Sequence, residues 1–261
     1  TLIAISALAY VVDVALHEHL GHAMACVLFR GHVTEMGAFY VNCAHAGMAP
    51  WSVRAVAIAG PLVSALTGVV AFGFLRRIRG DARAAFYFTW LLGSLGLMSA
   101  AGYPLFSGIS GLGDLGNGPD GALHGAAPLW AWRVALAVFG GVAYWWVVRF
   151  SARRMDGRMS GVGRDRIHAA RLTALDSYLT GAAVFTAIGL LNPHGFVIVA
   201  TSAVASSVGG TSGLLWMMQL LDRRRTVGEP GIAFGWSWRW IGAATVGVLV
   251  YAAVFGPTLR R

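Results

Sequence analysis

The sequence predicts an all-α polytopic membrane protein of about six to seven transmembrane helices, with one short hairpin and one Gly-rich loop between them. Three observations predict it. Of the 261 residues, 57% are hydrophobic and 12% charged, about half the roughly 25% charged residues of an ordinary soluble domain. The mean hydropathy is +0.64. Several apolar runs reach the roughly 20 residues needed to cross a bilayer.

Seven spans are expected: Leu2 to Phe29, Trp51 to Leu75, Ala84 to Leu105, Pro128 to Phe150, Leu172 to Leu191, Phe196 to Leu221 and Trp236 to Phe255. The first contains Asp13 and a histidine cluster and is too long for the apolar core of a signal peptide. Two connections are unusual. The segment from Gly31 to Pro50 alternates in character and predicts a short hairpin at the membrane face. The segment from Phe106 to Ala127 is Gly-rich, carries Asp114 and Asp120, and has no arginine. Backbone of this kind enters a membrane only where protein covers it or it lines a wet cavity.

The net charge of +9 invites a nucleic-acid reading, which the distribution excludes. The chain has no lysine, and most arginines cluster between apolar runs: 76–83, 149–171 and 223–225. That is the pattern of cytoplasmic loops under the positive-inside rule. The hairpin and the Gly-rich loop then share the opposite face, together with Arg260 and Arg261. Lipid is the partner this composition demands, in a bacterial cytoplasmic (inner) membrane by expectation. Trp145, Trp146, Trp236, Trp238 and Trp240 read as interfacial anchors. Small residues of the sixth span, among them Ala203, Ser207 and Gly210, suit close helix packing. Cys26 and Cys43 make no disulfide framework and read as two unrelated thiols.

His17, Glu18, His19 and His22 interrupt the first apolar run. Ionisable groups inside a span are costly and mark function by default. At about 100° per α-helical residue, His22 lies about 40° and His19 about 100° round from Glu18, while His17 points about 100° the other way. One ion could be held by Glu18 and His22 with His19 beside them; His17 needs a local bulge to join. Carboxylate and imidazole suit zinc, and also iron or manganese. One helix rarely closes a tetrahedral site, so a further ligand is expected from Asp114 or Asp120, whose loop lies on the same face, with His45 and His124 as second choices. Asp13 falls about 140° from Glu18 and is expected to pair elsewhere.

These residues carry a resemblance. His17-Glu18-His19-Leu20-Gly21-His22-Ala23 resembles the HExxH-type helix of the intramembrane zinc metalloproteases of the site-2 protease family. Gly31-His32-Val33-Thr34-Glu35 resembles the start of that family's membrane-associated hairpin, and Ala59-Gly60-Pro61-Leu62 the opening of its next helix region. Gly102 to Gly108, with Gly113-Asp114 and Asn117 to Gly121, resembles the segment that delivers an aspartate ligand. The resemblance covers about residues 10–125. It implies a metal-binding membrane core over 1–127, with 128–261 contributing further transmembrane helices of unknown role.

The motif departs from the family pattern. Aligned on Leu20-Gly21-His22, Glu18 takes the place of the first zinc histidine and His19 that of the catalytic glutamate. Aligned on His17-Glu18, one residue is inserted before His22. Straight helical geometry prefers the first register, with Glu18, His22 and Asp114 on the metal and His19 as base or fourth ligand. The resemblance implies a metal-dependent hydrolase that cleaves a membrane peptide segment. Two alternatives stand beside it: a non-proteolytic metal-binding subunit of a larger membrane complex, and a metal-dependent membrane oxidoreductase or transporter.

Overall fold

A computed structural model describes residues 1–78, 82–159, 162–194, 196, 202–203, 205–222, 224 and 234–260. Six helices among them are long and apolar enough to cross a membrane: Leu2–Leu28, Pro50–Arg77, Arg83–Ser110, Leu129–Asp156, Gly163–Gly189 and Trp238–Phe255. The protein is an all-α polytopic membrane protein with one small sheet. Helices suit these runs because lipid offers no partner for backbone N–H and C=O groups.

The first span consists of α1 (Leu2–Ala15), a π-helical turn (Leu16–Ala23) and α2 (Met24–Leu28). A hairpin follows, β1 (His32–Met36) and β2 (Val41–Ala44), antiparallel from His32 opposite Ala44 to Met36 opposite Val41. Then come α3 (Pro50–Phe74), α4 (Arg83–Ser110), α5 (Leu129–Asp156) and α6 (Gly163–Gly189). A short α7 (Leu214–Met217) and α8 (Trp238–Phe255) complete the helices, and β3 (Leu259–Arg260) returns to pair with β1. The sheet order is β2-β1-β3.

The core lies around α4, where Tyr87, Trp90, Leu91, Leu95 and Met98 are fully buried. Trp90 donates its indole N–H to the Ser151 carbonyl of α5 at 3.0 Å. Lower down α4, Gly108 packs on the α5 backbone at Arg133 and Ala137. Such small-residue contacts let membrane helices approach closely. The outward faces of α5 and α8, with Phe139, Trp146 and Leu249, remain exposed as lipid-facing apolar surface.

Three expectations are corrected. The arginine-rich stretch 149–171 is largely helix, because α6 begins at Gly163 rather than Leu172. Arg166 is buried there, paired with Asp156 and donating to the carbonyls of Met159 and Asp222, so it clamps the α5–α6 turn. The expected sixth span, Phe196 to Leu221, lies partly outside the described residues. Its described part is a π turn (Ala205–Gly210), α7 and a 3₁₀ turn (Met218–Leu220) rather than one continuous helix. Gly209, Gly210 and Gly213 weaken helix continuity there.

The third correction concerns the cysteines. Cys26 and Cys43 form a disulfide that ties the end of the first span to β2. A link across 17 residues stabilises chiefly by restricting the unfolded chain. Replacing both cysteines by serine is expected to cost about 3 kcal/mol, read as a lower midpoint of thermal unfolding in detergent. An unchanged midpoint contradicts a structural role for the bond.

Candidate metal centre

The first span stops being α-helical where its polar residues sit. Leu16–Ala23 is a π-helical turn, the form a helix takes when one residue is inserted into it. In a straight α-helix, five residues advance about 500°, placing His17 and His22 about 140° apart. The inserted residue makes that spacing behave like four, about 400°, so both imidazoles reach one face. The helical-wheel register is therefore corrected: the structure brings His17, not Glu18, to His22.

Their Nε2 atoms are 3.3 Å apart. Each also approaches Asp114 Oδ2, at 3.2 Å from His17 and 3.3 Å from His22. Three donors about 2.0–2.1 Å from a common zinc in tetrahedral geometry stand about 3.3–3.4 Å from one another. The observed triangle has nearly those edges. Each remaining ring nitrogen is anchored. His22 Nδ1–H donates to the Val56 carbonyl at 2.8 Å, which can only accept, so neutral His22 presents a lone pair at Nε2. His17 Nδ1 bonds Ser64 Oγ at 2.9 Å. Such outer contacts orient imidazole ligands. Tyr103 stacks on the His17 ring at 4.7 Å and 13°.

Glycines make room for this arrangement. A Cβ on Gly21 would press on the backbone of Gly60, so the absence of side chains lets α3 lie against the π turn. A Cβ on Gly60 would strike Nε2 of both His17 and His22. The space beside the two lone pairs is thus open only because residue 60 is glycine, and an ion fits the donor set.

Asp114 reaches the histidines from the Gly-rich connection after α4. Gly111 ends that helix with φ +77° and donates to the Ser107 carbonyl at 2.8 Å, the left-handed stop that glycine favours. Gly113 repeats the conformation at φ +74°. The loop then closes on itself, with Ala122 N–H bonding the Asp114 carbonyl at 2.8 Å and Leu123 N–H the Gly116 carbonyl at 2.9 Å. The loop thereby places one carboxylate oxygen 3.2–3.3 Å from both imidazole Nε2 atoms.

The other expected residues are placed as follows. Glu18 is 5% exposed and lines the same cavity, but it is not one of the three converging donors. His19 turns away from them: its ring stacks on Phe255 at 4.1 Å and neither nitrogen has a hydrogen-bond partner among the described residues. Asp120 sits at the rim with its side chain 80% exposed, 3.3 Å from His45 Nδ1. The ring of His124 is not in the group; its carbonyl accepts from Arg54 at 2.9 Å. Asp13 bonds Ser99 at 3.4 Å, a turn away from the histidines. His19 and Asp120 thus lie outside the group of three converging donors. The wheel assumed α-helical pitch, and proximity of a loop does not select among its carboxylates. Ser64 and Tyr103, which hold His17, carried no signal beyond lying near the motifs.

A cavity of about 560 Å³ opens over the donors, within the usual range for ligand sites. Its walls include Tyr10, Phe39, Tyr103, Phe185 and the small polar residues Ser206 and Thr211. Glu18 and Asp114 face it from the metal side.

Deletion of His19 would give His17-Glu18-Leu-Gly-His, the uninterrupted four-residue spacing. If the π turn merely absorbs one extra residue, this deletion retains divalent-ion binding within about tenfold of wild type by calorimetry, whereas His22→Ala loses at least 10²-fold. Loss in the deletion equal to that of His22→Ala contradicts the register. Comparison with family models, curated proteins and solved structures finds no match for this chain.

Proposed function

We propose that the protein is a membrane-embedded zinc-dependent peptidase of the type the His17–His22 motif resembles, acting on a polypeptide segment that enters the cavity. The observation that carries this reading is the triangle of His17 Nε2, His22 Nε2 and Asp114 Oδ2, with edges of 3.2–3.3 Å. Three protein donors leave a fourth position free, as catalytic zinc sites do and closed structural sites do not. A buried carboxylate outside the donor set, Glu18, lines the same cavity.

A divalent ion held by His17, His22 and Asp114 would supply Lewis acidity and bring the pKa of a water toward neutrality. Glu18 would be the general base that takes a proton at its carboxylate and returns it to the leaving amine, so that water and an amide would give a carboxylate and an amine. Ser64 and the Val56 carbonyl keep both imidazoles oriented, and Tyr103 keeps the His17 ring in plane. The apolar walls limit access of bulk water, which strengthens each of these interactions.

One observation favours a second reading. Two histidines and one carboxylate are also the donor set of non-haem ferrous oxygenases, so a metal-dependent membrane oxidoreductase uses the same residues. The tetrahedral edge lengths and the free Glu18 carboxylate favour the hydrolase. The non-proteolytic subunit reading needs only the metal and no role for Glu18.

The test is metal content and cleavage measured together on the full chain in bilayer discs, with fluorogenic membrane peptides. The expected outcome is about one zinc per chain in wild type and in Glu18→Gln, with cleavage reduced 10²–10⁴-fold in the variant. Bound iron moves the assignment to the oxidoreductase. Bound zinc with no cleavage by wild type, or equal cleavage by Glu18→Gln, removes the peptidase.

A further inference from the structure

We infer that the metal centre is loaded from the oxidising, non-cytoplasmic side of the membrane, and that its substrates are polypeptide segments presented at that face. The inference rests on the peptidase reading for the word substrate; the siting of the cavity stands without it.

Three independent features point to this face. The first is the disulfide between Cys26 and Cys43. Its partners are the end of the metal-bearing span and β2 of the hairpin, and Cys43 itself lines the cavity. Protein disulfides persist in oxidising compartments and are rare where the thiol pool is reduced. The hairpin that borders the site therefore belongs to the oxidising side.

The second feature is the cavity. Its wall takes residues from the hairpin, such as Val41 and His45, and from the Gly-rich loop, such as Gly113 and Asp120. No lining residue comes from the described parts of the arginine-bearing connections at the other ends of the helices. Asp120 and His45 meet across the rim at 3.3 Å and join the two segments that frame the entrance.

The third feature is charge. Of the described arginines, Arg30, Arg54, Arg133 and Arg260 lie at the site's end of the bundle. Three of them are committed locally. Arg54 donates to the His124 carbonyl, Arg133 to the carbonyls of Gly108 and Ile109, and Arg260 pairs with Glu35. The larger group, including Arg76, Arg77, Arg83, Arg153 and Arg154, lies at the opposite end. Positively charged connections are retained in the cytoplasm, which sets the site on the far side. Thr1 donates its hydroxyl to the Gly235 carbonyl at 2.7 Å, so α1 and α8 start at the same end of the bundle. The pairing of β3 with β1 carries residues 259–260 across to the site's face.

The test uses the full chain in intact cells and a membrane-impermeant maleimide. Gly118 is exposed in the Gly-rich loop with nothing near its Cβ position, and Gly157 is exposed after α5 at the other end. Gly118→Cys is expected to label in intact cells, and Gly157→Cys only after permeabilisation. In the unaltered protein, Cys26 and Cys43 are expected to resist a permeant thiol reagent until a reductant is added. Gly118→Cys protected until permeabilisation, or native cysteines freely alkylated without reductant, overturns the inference. Neither readout depends on zinc or cleavage, so a failed peptidase assay leaves this result intact, and a cytoplasmic site leaves the peptidase assay intact.

Discussion

Everything at the centre of this molecule depends on one turn of helix that carries a residue too many. A π turn makes poorer use of backbone hydrogen bonds than an α turn and persists where the surroundings hold it. Here the surroundings do so from several directions. Gly21 lets the turn lie on the backbone of Gly60. Val56 and Ser64, one turn to either side along α3, take the outer nitrogens of His22 and His17. Relaxing the turn to α geometry would rotate one imidazole off the shared face and break its hydrogen bond to α3. Helix packing and donor geometry are thus one constraint seen from two sides.

The bilayer sharpens that constraint. Unpaired polar groups in hydrocarbon cost several kcal/mol each, so a cluster of three histidines and a glutamate in a span needs partners. His17 and His22 find them in α3 and in Asp114. Glu18 faces a cavity rather than lipid. His19 is the exception. It lies against Tyr251 and Phe255 of α8 with no hydrogen-bond partner among the described residues. Irregular backbone follows the same logic, because the Gly-rich loop after α4 pairs its own amides and carbonyls while it delivers Asp114.

Much of this was legible in the sequence, and the parts that were not share a cause. The spans follow from apolar run length, which the bilayer dictates directly. The Gly-rich loop and its aspartate followed from composition and from the resemblance. What periodicity misread was the motif. A helical wheel assumes one pitch, and a single inserted residue rotates everything beyond it by about 100°. The observation that His17 needs a bulge to join was available, yet spacing alone does not say which register wins; the answer lies in Gly60 and Val56, about 40 residues away. The disulfide was hidden for a similar reason, since two cysteines carry no pairing information until the hairpin brings β2 against the end of the first span. Arg166 read as a loop cation because Asp156, its partner, becomes adjacent only when α5 and α6 turn on each other.

The central claim is that the first span contributes His17 and His22, rather than Glu18 and His22, to the donor set for an ion. Anomalous diffraction at the zinc edge on crystals of the metal-replete protein tests it most directly. The account predicts one peak about 2.0–2.2 Å from Nε2 of His17, Nε2 of His22 and an oxygen of Asp114, with the Glu18 carboxylate outside the coordination shell. A peak on Glu18 that leaves His17 uncoordinated, or no peak within reach of both imidazoles, would contradict it.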